Sequence, residues 1–579
     1  MAEFDTVIKG GTVVDGLRTP RFTGDVGVKD GKVAYIGRIS SHEGAKVLDA
    51  SGLIVAPGFV DLHTHYDSQI FWDPWCTISG WHGVTSAVIG NCGFGFAPVK
   101  PEEQDRAMLS MQRNEAVPLA SMKAGMPWDW ESYPEFLDSV ERTPKGINLL
   151  GYVGLNPLLM YVMGLETAKS RAANDDERAE MCRLLEEALE AGACGFSAQI
   201  AGEDSNQRDY DGTPMATDLM AEEDLIAFAG VLGKARKGFI QIAGGRATPE
   251  LVNRLAEVSG RPIVYNALAA RTDQHGIAIP DYKETEQWIA DANKRGNRVF
   301  AQSITTAIAF EFQLDEWSLF DNVPSWRDAL GGGQTIEEKI EKLNDPERRA
   351  VFKAEYDAGK GPATGAGTED QGFVSGSGIA DLTVEIVEDS ALQQYEGFTI
   401  REIAEREGKH IVDVFIDIGV ADNLLSTFGS PPNQMDMKAM KDITNSPFAL
   451  PGLSDGGAHT KFVTMGAYPT EYIEVLVREN ELVDLEEAHW RLSAYPAMAA
   501  GFKDRGTIRE GSPADILVYD FENLRRTETR RAYDFPANEW RLVREAVGYR
   551  WIMVNGKTTF EDGKCTGHTP GELIRHGQG

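Results

Sequence analysis

The stretch Gly58-Phe59-Val60-Asp61-Leu62-His63-Thr64-His65 decides how this chain is read. An apolar run leads straight into two histidines two residues apart. Side chains at i and i+2 of a strand point to the same side. Both imidazoles can therefore meet one metal ion beyond the strand's C-terminal end. In a barrel of parallel strands that end is the mouth, where active sites sit. Imidazole suits zinc, and also iron, copper or nickel. Two polar residues that merely cap a strand are the alternative.

Working outward, this run belongs to an apparent strand, Leu53–Leu62. Further apparent strands are Thr85–Gly90, Ile147–Val153, Cys194–Gln199, Phe239–Ala243, Ile263–Asn266, Val299–Ser303 and Phe448–Leu453. Helical patterns lie between most of them. One example is 176–191, where Met181, Leu184, Leu185, Ala188 and Leu189 make a single apolar face. Eight strands alternating with helices predict an α/β fold, a (β/α)₈ TIM barrel, over 54–505. An open doubly wound sheet is the structural alternative. The stretch 309–447 breaks the rhythm and reads as a lid-like insertion, with a charged helical piece at Ile336–Tyr356. Short β-branched runs closed by Asp15-Gly16, Asp30-Gly31 and Asn555-Gly556 mark hairpins at both ends of the chain. Neither end can bury a sheet alone, so 1–53 and 506–579 are expected to form one small β-sandwich.

The chain has 579 residues, enough for a large barrel and an accessory domain, and a net charge of −32. That acidity argues against nucleic-acid or anionic-membrane partners, which need basic surfaces. No run is long and apolar enough to span a membrane. The start, MAEFDTVIKGG, shows neither the basic nor the apolar part of a secretory leader. Five cysteines without regular spacing suit a reducing compartment, and the expected location is the cytoplasm.

Two other strand ends carry reactive side chains. Cys92 closes the second apparent strand in Gly90-Asn91-Cys92-Gly93, where its thiolate can ligate a metal or the cysteine can be structural. Asp455 follows the last strand in Leu453-Ser454-Asp455-Gly456-Gly457-Ala458-His459. It can ligate metal and take a proton from water, or simply form a turn. His459, four residues on, can support the ligands from behind, contact substrate, or simply be a loop histidine. Arg246 and Arg271 follow the fifth and sixth strands, where either can bind a carboxylate or be a solvated loop arginine. Gln241 and Asn266 lie near the ends of the same strands and can line the pocket.

The runs GGTVVDG, PGFVDLHTH and GSPADILVYD resemble the amidohydrolase superfamily. Within it, NCGFGFAP at Asn91–Pro98 is similar to the N-acyl-D-amino-acid deacylase (D-aminoacylase) group. The resemblance spans nearly the whole chain. It implies a metal-binding TIM barrel with a β-sandwich built from both termini, Cys92 as a ligand, and Asp455 as base and then acid toward the leaving nitrogen. The family also draws one histidine from each of strands five and six. Here those strands read Phe239-Ile240-Gln241-Ile242-Ala243 and Ile263-Val264-Tyr265-Asn266, without histidine. No lysine ends the fourth strand.

The expectation is therefore one divalent ion, Zn²⁺ before others, held by His63, His65, Cys92 and Asp455. Three protein ligands and a water suffice for a hydrolytic zinc site. The function expected is cleavage of a carbon–nitrogen bond in an N-acyl amino acid or related apolar amide, by metal-activated water. A metal-dependent lyase or decarboxylase on the same barrel is the alternative, because a fold does not settle a reaction. The partner is a small molecule, and a homo-oligomer stays open.

Overall fold

The apolar run around Gly58 divides between two sheets. In the computed structural model, which describes residues 3–577 except 204, 206, 271–280, 316–319, 321–322, 332, 363–366, 369–371, 374–377, 434 and 503, Ile54–Pro57 pairs antiparallel with Ile516–Tyr519. Phe59–Asp61 instead pairs parallel with Val84–Ile89. The single strand expected at Leu53–Leu62 breaks at Gly58. Its N–H donates to the Asp515 carbonyl at 2.9 Å, and a Cβ there would lie 2.1 Å from Thr85 Oγ1. Only glycine lets the chain cross this tightly from one sheet to the other.

From Phe59 onward, eight parallel segments follow in chain order, each bonded to the next. They are Phe59–Asp61, Val84–Ile89, Asn148–Gly151 continued by Val153–Gly154, Gly195–Gln199, Phe239–Ala243, Ile263–Leu268, Val299–Ser303 and Ala449–Pro451. The last segment returns to the first. Thr64 bridges Gly456 in the parallel sense, and the His65 N–H donates to the Gly456 carbonyl at 2.7 Å. This is the predicted (β/α)₈ barrel. Its helices form where local chemistry favours them. Asp175–Ala191 starts at an Asn174–Glu177 capping box, ends at Gly192 (φ 115°), and buries Met181, Leu185, Ala188 and Leu189.

The two chain ends meet in one nine-stranded sheet, with Phe4–Val13 at the N-terminal side and Tyr549–Val554 at the C-terminal side. Its strands enclose a separate core that includes Ile8, Val26, Val28, Val55, Ile516, Val518 and Met553. This is the β-sandwich, and it takes in residues as far as Pro57. Two parts of 506–579 lie elsewhere. A hairpin, Arg530–Phe535 with Glu539–Val543, packs on barrel loops: the Leu542 N–H donates to the Thr460 carbonyl at 2.7 Å, and Arg541 bonds the Thr77 hydroxyl at 2.7 Å. The tail runs beside the third barrel strand, where the Ile574 N–H meets the Leu149 carbonyl at 2.7 Å.

The stretch expected as an insertion has its own core around Phe312, Trp326, Phe352, Phe415 and Phe428. It contains a three-stranded antiparallel sheet of Glu311–Phe312, Thr427–Gly429 and Thr383–Ile386. The single helical piece expected at Ile336–Tyr356 is two helices, Ile336–Asn344 and Pro346–Asp357, because Pro346 starts a new helix capped by Asp345. Met437–Asn445, the last part of the expected insertion, is a helix whose Met440 and Ile443 join the main barrel core. No helix among the described residues is long and apolar enough to cross a membrane.

Candidate metal centre

The four residues expected as ligands converge. His63 and His65 follow the first barrel strand with side chains 0% and 1% exposed. Cys92 follows the second strand on a single turn, Asn91–Gly93, with φ 56°. Ligand atoms of His63, His65 and Cys92 all lie within 4.8 Å of one another, and Cys92 Sγ is 3.3 Å from His63 Nε2. Asp455, just beyond the eighth strand, brings Oδ1 to 3.2 Å from His63 Nε2 and 3.7 Å from His65 Nε2. The loop that presents Asp455 is bound to the first strand, with Ser454 Oγ donating to the His63 carbonyl at 2.9 Å. Cys92, Asp455 and His459 all adopt left-handed backbone, at φ 56°, 45° and 51°. Such strain in non-glycine residues persists only where the surroundings hold it, and it gathers at functional sites.

The electrostatics fit a cation. Burial opposes ionisation of Asp455, yet hydrogen bonds from His459, His63 and His65 outweigh it and hold the carboxyl well below the usual range. Burial likewise opposes the Cys92 thiolate, but the charge and hydrogen bond of His63 bring its pKa down. Burial disfavours a charged His63, and the Cys92 and Asp455 anions overcome this and push it up to about 10. Two partly buried anionic donors thus face two buried imidazoles that compensate them with protons. A divalent ion held by these residues would supply that positive charge, and a mixed sulfur, nitrogen and oxygen donor set is one that zinc accepts.

Around this core lie groups that the sequence did not reveal. Gln302, on the seventh strand, places Oε1 3.0 Å from His63 Nδ1. Glu115, at the end of the helix Gln104–Glu115 and 1% exposed, places Oε2 3.5 Å from His459 Nε2. The same nitrogen is 3.6 Å from Asp455 Oδ2, so His459 stands between the two carboxylates. Asp67 accepts from the Gly90 N–H at 3.1 Å, and burial pushes its carboxyl up to about 6. A polar residue in the apolar run Val299-Phe300-Ala301-Gln302-Ser303 was the available signal for Gln302. Nothing local marks Glu115, because the approach of its helix to the barrel mouth is a tertiary fact.

The candidate substrate residues divide. Gln241 and Asn266 lie at the site and bond to each other, Gln241 Nε2 to Asn266 Oδ1, at 2.6 Å. Gln241 Oε1 accepts from the Cys92 N–H at 2.8 Å, and Asn266 Nδ2 donates to Gln302 Oε1 at 2.6 Å. Arg246 spends its guanidinium on the carbonyls of Asp218 (2.8 Å) and Met220 (3.1 Å), which makes it a brace for the loop after the fourth strand. Arg271 lies outside the described residues. Phe94 packs edge-on against His65 at 6.2 Å, giving the site one apolar wall.

Residues 46–560 match the model of the amidohydrolase family. An N-acyl-D-aspartate deacylase of Alcaligenes xylosoxydans xylosoxydans is 25% identical over 584 residues, 100% of this chain and 96% of that protein. Among solved structures, the N-acyl-D-glutamate deacylase from Bordetella bronchiseptica, complexed with zinc and a phosphonate inhibitor, aligns with a TM-score of 0.65 at 23% identity, over 99% of this chain and 100% of that one. A D-aminoacylase with a binuclear metal centre gives 0.64 at 21% identity, again over 99% and 100%. At these identities the structural likeness speaks for the fold.

Proposed function

The chain belongs to the amidohydrolase family, and from that premise we propose that it hydrolyses the amide bond of an N-acyl amino acid with the help of one divalent ion, zinc before others. One observation carries the reading: His63, His65, Cys92 and Asp455, from the ends of three different barrel strands, bring their donor atoms together at the mouth. An ion bound there would supply a Lewis acid for the amide carbonyl and an acidified water. The side chains do the rest. His63, His65 and Cys92 hold the ion. Asp455, ionised at neutral pH, accepts a proton from the attacking water at its carboxylate and passes it to the departing nitrogen. His459, tied to Glu115, holds that carboxylate in place.

Two features support one ion over two. The strands on which the related deacylase pattern has histidines carry none here; their polar residues Gln241 and Asn266 spend their polar atoms on each other and on their neighbours. Neither carboxamide is a match for imidazole as a zinc ligand. The relatives act on N-acyl-D-aspartate and N-acyl-D-glutamate, which favours a D-configured N-acyl amino acid as substrate here.

The test is metal content of the native protein together with turnover of an N-acetyl amino acid panel of both hands. About one zinc per chain is expected, with amine and acetate released, activity lost on chelation and recovered on adding zinc back. His63→Ala is expected to abolish both metal retention and turnover. Full turnover by His63→Ala, or release of CO₂ in place of amine and acid, overturns the reading.

A further inference from the structure

We infer that Gln241, Asn266 and Gln302 form a hydrogen-bond relay of fixed polarity, oriented by the Cys92 backbone N–H, which keeps a hydrogen permanently on His63 Nδ1 and so commits His63 Nε2 to the metal. The inference rests on the proposed role of His63 as a ligand.

The direction follows from one group that cannot reverse. A backbone N–H can only donate. The Cys92 N–H is 2.8 Å from Gln241, so Gln241 must turn its oxygen there. Its NH₂ then faces Asn266 at 2.6 Å, and Asn266 must offer an oxygen. The Asn266 NH₂ in turn faces Gln302 at 2.6 Å, and Gln302 must offer an oxygen. That oxygen also faces His63 Nδ1 at 3.0 Å. An amide oxygen only accepts, so Nδ1 must carry hydrogen. A flip of any one amide would set donor against donor or acceptor against acceptor at two contacts. Water cannot relieve the mismatch, because Gln241, Asn266, Gln302 and His63 are 0%, 8%, 1% and 0% exposed.

The relay explains three things together. It accounts for carboxamides on strands five, six and seven, since only a side chain with both a donor and an acceptor can pass polarity along. It ties two ligands to each other, because the far end of the chain is Cys92, whose N–H bonds Gln241 from a left-handed backbone at φ 56°. It also separates the histidines. The His63 nitrogen left to face a cation is Nε2, beside Cys92 and Asp455. His65 Nδ1, by contrast, has no hydrogen-bond partner among the described residues, so His63 is the oriented ligand and His65 the adaptable one. Gln241, Asn266 and Gln302 are thus positioning residues.

The experiment is ¹⁵N NMR of protein labelled at histidine, with and without zinc, alongside zinc affinity measured by chelator competition. A hydrogen-bonded His63 Nδ1–H signal, slow to exchange with water, is expected in both forms. Gln302→Leu should remove the protection and weaken zinc binding about 10–100-fold, the usual cost of losing such a partner. Gln302→Glu keeps an accepting oxygen and should restore both. Gln241→Leu, which does not touch His63, should also weaken zinc binding by freeing the chain to flip. Wild-type zinc affinity in Gln302→Leu, no rescue by Gln302→Glu, or an exchanging Nδ1 in the metal-free wild type overturns the relay. A protein that shows the protected signal and takes up no zinc instead overturns the proposed function and leaves the relay standing.

Discussion

Asp455 owes its behaviour to its neighbours. Only 14% exposed, it stays ionised because His63, His65 and His459 face it at 3.2–3.7 Å. An amide in its place keeps the shape and loses the ability to accept a proton. Asp455→Asn is therefore expected to lower kcat about 10²–10⁴-fold, the usual weight of a positioned acid–base group. Steady-state kinetics on a zinc-loaded sample checks this. The convergence of His63, His65, Cys92 and Asp455 was legible in the sequence because each stands at or just past the end of an apolar strand, and in a barrel those ends meet at one mouth. Gln302 and Glu115 were not. Gln302 acts through a network whose other members come from two other strands, and Glu115 arrives on a helix whose docking no local pattern encodes. For Arg246 a place after a strand end allowed either a substrate contact or a loop arginine, and its partners here are backbone carbonyls of a neighbouring loop.

At the scale of elements, strands and helices were readable where one periodicity ran unbroken. Val299–Ser303 and Phe239–Ala243 fall where their apolar runs predict. Boundaries failed where a single residue changes the chain's partners. Gly58 splits an apolar run between two sheets, and Pro346 splits a helical one, although the apolar pattern passes through both points. Gly58 supplies the test. Replacing it with alanine forces a methyl group against Thr85, whose Oγ1 would be 2.1 Å away. Overpacking of this kind costs about 1–3 kcal/mol. Gly58→Ala should therefore lower the urea midpoint of unfolding, with the slope unchanged. A midpoint equal to wild type would show that the two sheets yield easily at this crossing.

For the molecule as a whole, the sandwich and barrel press against each other through buried polar groups, and these set its response to acid. His489 stacks on Phe59 at 5.6 Å and bonds the Tyr519 hydroxyl at 2.7 Å, linking the first barrel strand to the sandwich. Burial lowers its pKa to about 3, whereas in the unfolded chain it takes a proton near pH 6.5. Its neutral form is favoured only in the folded state, so its contribution is full above about pH 6.5 and drains away as pH falls toward 3. Lowering the pH from 7 to 5 should therefore cost the wild type more Tm than it costs His489→Gln, which has no such proton to gain. Parallel melting curves of the two proteins test the difference, and equal losses would count against it. The pairing of the two chain ends was foreseen from their shared hairpin texture. The hairpin Arg530–Val543 was not, because its sequence looks like any other hairpin and only its docking on the barrel mouth sets it apart.

That union of the ends carries a cost in time. Ile54–Pro57 finds its sheet neighbour in Ile516–Tyr519, roughly 450 residues later. At about 5–20 residues per second on the ribosome, the early strands wait on the order of half a minute or more before the segment that covers them has been synthesised. Throughout that interval, Phe4–Val13 and Ile54–Pro57 are half of a sheet with an open edge. An edge open for that long is exposed to wrong partners, so yield during synthesis should respond to translation speed as well as to the stability of the finished enzyme.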